Sequence, residues 1–146
     1  MSSRRRLRDH MTQADSGQIT AFVVVMATAL ILLAGLVLDG GLTLNARERA
    51  LGLAQEAARA GAQGVNLAIY RQSGNLVLSP ALAAADAQQY LASTGSQGTV
   101  QVTGNIVTVT VTITQRMQIL DAAGLHAITV HASASATPDR GILGVG

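Results

Sequence analysis

The chain has 146 residues, 49% apolar and 12% charged, with a mean hydropathy of +0.35. That balance excludes a disordered chain, and the length allows one domain at most. Three aromatic residues (Phe22, Tyr70 and Tyr90) against 25 alanines leave too little bulk for a walled cofactor pocket or a base-stacking platform, and without cysteine there is no disulfide or thiolate metal site.

The net charge of +2 is local. Arg4, Arg5, Arg6 and Arg8 outweigh Asp9 and Asp15, whereas from Asp39 onward six arginines balance four aspartates and two glutamates. A nucleic-acid binder carries its surplus on the folded part; here the surplus flanks an apolar run, as at a membrane boundary. Residues 1–18 therefore read as a basic cytoplasmic tail.

Ile19 to Leu38 is twenty residues without a charge. At about 1.5 Å per residue it covers roughly 30 Å, the thickness of a hydrocarbon core. The short loops beyond Asp39 carry no positive cluster, which predicts an N-terminus in the cytoplasm and the remainder outside. A cleaved secretory signal would have a shorter apolar core. A twin-arginine signal is suggested by Ser3-Arg4-Arg5-Arg6-Leu7, but a polar stretch separates it from the apolar run. A buried helix of a soluble protein needs a larger core than this chain offers. The reading is an uncleaved transmembrane helix, 19–38.

Strong helix formers without proline continue from Leu42 to Ala68, within an extracytoplasmic segment 39–72. Asp39-Gly40-Gly41 reads as a hinge, since two glycines weaken a helix entering water. Small residues recur at four-residue spacing (Ala50, Ala54, Ala58, Ala62), with Ala57–Gly61 and Ala60–Gly64 beside them. Such a face lets another backbone approach closely, either the protein's own sheet or a neighbouring helix. Leu44, Leu51, Ala58 and Val65 fall seven apart, but Arg47, Glu48 and Gln55 interrupt a coiled-coil seam.

Residues 73–137 read as a short helix plus an antiparallel sheet. Ser79 suits the N-cap of a helix over 81–92, Pro80 its first position and Gly95 its stop. Thr99–Thr103 and Ile106–Thr114 flank Gly104-Asn105, a two-residue hairpin signal. That loop sets Val102 opposite Val107 and Val100 opposite Val109, with Thr108, Thr110, Thr112 and Thr114 on the other side. Ala127 to Ala136 alternates likewise, Ile128, Val130, Ala132 and Ala134 against Thr129, His131, Ser133 and Ser135. One apolar and one hydroxyl-rich face is the pattern of a sheet covered on a single side. Residues 115–125 read as a loop tucked under the sheet, and 138–146 as a flexible tail.

No catalytic, cofactor-binding or metal site can be named from the residues, and the chain is not expected to be an enzyme. His126 and His131, five apart on an expected strand, point to opposite faces and cannot share a metal. Glu48 and Glu56 each stand near an arginine on one helix, as solvated charges do. Ser133 and Ser135 lack an orienting base, and no glycine pair precedes a lysine, of which there is none. Asp39 has two readings: a polar stop at the membrane edge, or part of a recognition or packing feature.

The order Asp15-Ser16-Gly17, an apolar span, Leu36-Val37-Leu38-Asp39-Gly40-Gly41, then Ala57-Ala58-Arg59-Ala60-Gly61-Ala62 resembles the TadE/TadG-like proteins of tight-adherence (Flp-type) pilus systems, over about the first 65 residues. Flp-type pilins and the TadE branch carry a glutamate five residues after the processing glycine; here that position is Phe22, so the chain is more similar to the TadG branch. The resemblance implies a minor pilin-like, membrane-anchored assembly component, with an α+β, pilin-like fold: one N-terminal transmembrane helix extending into a long helix packed on a small antiparallel sheet. The partners it implies are the lipid bilayer, platform proteins and other pilin-like subunits, with self-association as a homo-oligomer left open and no nucleic acid or cofactor. A membrane-tethered module that binds cell wall or a partner protein through its threonine-rich face is the alternative.

Overall fold

The structure, a computed structural model, describes the backbone of residues 3–139 and the side chains of residues 17–139. Helix α1 (Ser3–Ala62) is followed by α2 (Leu67–Ser73), α3 (Pro80–Ser93), strands β1 (Gln97–Thr103) and β2 (Ile106–Arg116), a one-turn 3-10 helix (Leu120–Ala123) and strand β3 (Ala127–Ala136). The fold is α+β: a long N-terminal apolar helix and one antiparallel sheet of order β1-β2-β3. The expected tail over 138–146 lies mostly outside the described residues.

The register follows the two-residue turn: Val102 faces Val107 and Val100 faces Val109. Across β2, Val109 faces Ala134 and Val111 faces Ala132. Val107, Val109 and Val111 are fully buried and pack with Ala50, Ala54, Ala57, Ala58, Ala83, Ala87 and Leu91. The helix side of this core is almost all alanine, so α1 and α3 lie close to the sheet; fully burying a valine contributes about 1.5–3 kcal/mol. Ala46, Ala50, Ala54 and Ala58 are all fully buried. The small-residue face therefore packs mainly on the protein's own sheet and α3, with Ala60 half-buried at its edge.

Several features differ from the sequence reading. Helix α1 starts at Ser3, so the segment read as a separate tail is continuous with it. It also runs through Asp39-Gly40-Gly41 without a hinge. A glycine costs a helix only about 1 kcal/mol relative to alanine, and here Thr43 Oγ1 donates back to the Asp39 carbonyl (2.9 Å) while the Asp39 side chain is anchored across the fold. Conversely, α1 stops at Ala62 rather than continuing to Ala68. Gly64 is seated so tightly on α3 that a Cβ would lie 2.6 Å from the Ala83 nitrogen. Val65 then bridges to Leu78, and the Asn66 side chain caps α2 through Ala68 and Ile69. Finally, β2 extends to Arg116, and the loop after it folds onto α1 instead of under the sheet.

Around α3, Pro80 occupies the first turn as expected, but the Ser79 side chain makes no capping bond. Its backbone does the work instead, donating to the Gly64 carbonyl and accepting from Ala83. Thr94 closes the helix through the Tyr90 and Leu91 carbonyls, with Gly95 just beyond at φ +64°.

Candidate functional site

Within Gly17–Ala62, helix α1 carries a stretch long and apolar enough to cross a membrane. Its side chains point outward all round: Phe22, Val25, Ile31 and Val37 are 61–69% exposed. A helix that is apolar on every face and uncovered by protein is suited to lipid rather than water. Thr28 spends its hydroxyl on the Val24 carbonyl at 2.8 Å, removing the one polar cost of that turn.

At the end of this stretch the helix changes character. Gly35 and Asp39, one turn apart on the same face, are both buried. The loop after β2 rests there, and a Cβ on Gly35 would lie 2.7 Å from Ile119 Cγ2. The Asp39 carboxylate accepts three backbone N–H bonds: Gln118 to Oδ1 at 2.9 Å, and Ile119 and Leu120 to Oδ2 at 3.0 and 2.8 Å. The N–H groups of Leu120 and Gln118, with a further contribution from Ile119, hold its carboxyl below the ordinary 3.8 despite burial, which acts the other way. Asp39 is thus a clasp between helix α1 and the β2–β3 loop, the packing role among its two sequence readings.

A second long-range tie stands at the opposite end. Asn105, recognisable in the sequence only as a turn residue, donates to the Leu76 carbonyl at 2.7 Å and accepts from the Leu78 N–H at 3.0 Å. It fixes the hairpin to the α2–α3 connection.

The uncovered face of the sheet is a ladder of hydroxyls. Thr108 pairs with Ser135 (2.8 Å), Thr110 with Ser133 (2.7 Å) and Thr112 with His131 Nδ1 (3.0 Å). Ser133 and Ser135 are thereby partnered by threonines rather than by a base. His126 precedes β3 and meets Asp121, so the two histidines stand apart. Glu56 pairs with the exposed Arg59 at 3.2 Å. Among the described residues no group of three or more His, Cys, Asp or Glu is placed to hold a metal ion.

Residues 17–64 match a family model described as "Putative Flp pilus-assembly TadE/G-like". The matched third of the chain takes in the apolar stretch, Asp39 and the alanine face, and it does not separate the TadE from the TadG branch. No curated protein and no solved structure matches the chain.

Proposed function

We propose that this chain is a membrane-anchored, minor pilin-like component that assists assembly of a tight-adherence (Flp-type) pilus or a related secretion apparatus. The observation that carries this reading is the family match over residues 17–64, coincident with the uncovered apolar helix. Residues 19–38 hold the chain in the bilayer, with the arginine-rich end in the cytoplasm and the sheet domain outside. Its role is mechanical rather than enzymatic. Because the alanine face is occupied by the protein's own sheet, contacts with platform proteins or other pilin-like subunits fall to the surfaces left open. Phe22 in place of a glutamate supports a chain retained uncut after Gly17, closer to the TadG branch.

The test is deletion of the gene and affinity purification of the full-length chain from membranes. Loss of pili on deletion, with pilus-assembly ATPase or platform proteins co-purifying, supports the proposal; normal piliation without such partners overturns it. The alternative, a membrane-tethered binding module, draws on the uncharged hydroxyl ladder, and binding to isolated cell wall without pilus proteins would favour it.

A further inference from the structure

The sheet stands lengthwise on the anchor. A Cβ on Gly61 would lie 2.9 Å from Val107 Cγ1, and Asp39 binds Gln118. Between those contacts α1 advances by about 33 Å at 1.5 Å per residue, and the chain from Val107 to Gln118 by about 36 Å at 3.3 Å per residue. Matching lengths mean that β2 runs nearly antiparallel to α1. The connection between β2 and β3 therefore reaches the apolar stretch, while the turn from α3 into β1 stops short of it, at the level of Thr112, and the Gly104-Asn105 turn lies at the far end.

That connection reaches past the end of the stretch. Gly35 lies about 4.5 Å inside Leu38 along the helix, and Ile119 and Leu120 are the side chains packed beside it. We propose that residues 117–126 form a second membrane contact, resting at the boundary between headgroups and acyl chains of a phospholipid bilayer. This rests on the reading of residues 19–38 as a membrane span. Three further features suit the segment to that depth. Leu125 is 53% exposed, next to the half-buried Ile119 and Leu120. Seven of its backbone donors are closed internally: Met117 to His126, Ala122 to Ile119, Gly124 to Asp121 and Leu125 to Leu120, with Gln118, Ile119 and Leu120 on the Asp39 carboxylate. Amides closed in this way tolerate a water-poor layer. Arg116 and His126 stand at its two roots, where lipid phosphates lie, and Asp121 is partnered by His126. Amphipathic segments bury their apolar side about 5–10 Å into this boundary, deep enough to reach the level of Gly35.

The natural absence of cysteine allows single nitroxide labels on the full-length chain in vesicles of phosphatidylethanolamine and phosphatidylglycerol. Leu125→Cys is compared with Ile31→Cys in the span and Thr110→Cys on the open sheet face. Collisions are measured with oxygen, which enters lipid, and with a water-soluble nickel chelate. The expected result is that the label at 125 collides with oxygen and is several-fold less accessible to nickel than the label at 110. Nickel access at 125 equal to that at 110, with 31 in lipid, overturns this contact alone. Shielding of 125 from both reagents overturns it in favour of a protein cover, and a water-exposed 31 overturns the anchor reading with it.

Discussion

Replacing Ala54 with leucine separates a face packed at home from one reserved for partners. Ala54 is fully buried in the cluster that contains Val107, Val109 and Val111. Leucine adds three carbons at a fully buried position, and overpacking of this kind costs typically about 1–3 kcal/mol. The double variant Ala54→Leu/Ala58→Leu then loses about 2–6 kcal/mol if the two sites add, a large part of the 5–15 kcal/mol that holds a small domain together. The assay is denaturant unfolding of the full-length chain in detergent micelles, followed by near-ultraviolet circular dichroism of Tyr90, which packs against the same cluster. Gly52→Ala serves as the control: a Cβ there meets nothing within 4 Å, so it is expected to stabilise the helix by up to about 1 kcal/mol. A double variant as stable as the parent but defective in pilus assembly would refute the argument and return this face to partner docking.

Gly64→Ala is expected to cost about 1–3 kcal/mol in the same unfolding assay, because its Cβ would meet Ala83 backbone at 2.6 Å, where no side chain can give way. Asp39→Asn replaces one acceptor oxygen by a donor facing backbone N–H groups, so hydrogen exchange at residues 118–120 should accelerate. Because the native carboxyl sits below the ordinary 3.8, its stabilisation is complete above that value and is lost as pH falls through the depressed one. The parent should therefore lose stability more steeply than Asp39→Asn in acid unfolding below about pH 4. Thr110→Val removes an exposed hydroxyl pair with Ser133 and should change stability by no more than about 0.5 kcal/mol.

The strands were legible because their information is local. Strict alternation and a two-residue Gly104-Asn105 turn determine which side chains face each other, and β1, β2 and β3 pair accordingly. The alanine spacing was equally visible, but it states only that something approaches closely; the occupant depends on where the sheet lands. The end of α1 was hidden for a related reason. Residues 63–68 hold no proline, and the weak helix formers Gly64, Val65 and Asn66 do not by themselves end a helix; what stops it is Gly64 against Ala83 and Val65 against Leu78, partners distant in sequence. Asp39 was singled out, yet its ligands are backbone amides some 80 residues later, and backbone donors leave no mark in a side-chain pattern. The pair Gly35 and Asp39, one helical turn apart on an otherwise bulky helix, was the available signal.

The absence of a hinge alters the mechanics of the proposed anchor. A glycine pair entering water suggests a joint, with the domain free to swing on its span. Instead α1 is continuous from the apolar stretch to Ala62, and the clasp ties the base of the sheet to the same helix at Gly35 and Asp39. A lever fastened at two points transmits tilt: any rotation of the span turns the sheet with it, and force on the sheet reaches the membrane undiminished by a flexible linker. Nothing in the packing of the chain requires Gly40 and Gly41 to lack a side chain, since a Cβ on either meets nothing within 4 Å. Gly40→Ala/Gly41→Ala is accordingly expected to stabilise the helix by up to about 2 kcal/mol and to leave assembly intact. A functional hinge would instead make the same substitutions abolish assembly while the chain stayed folded and inserted, an outcome that piliation of the variant strain reads directly.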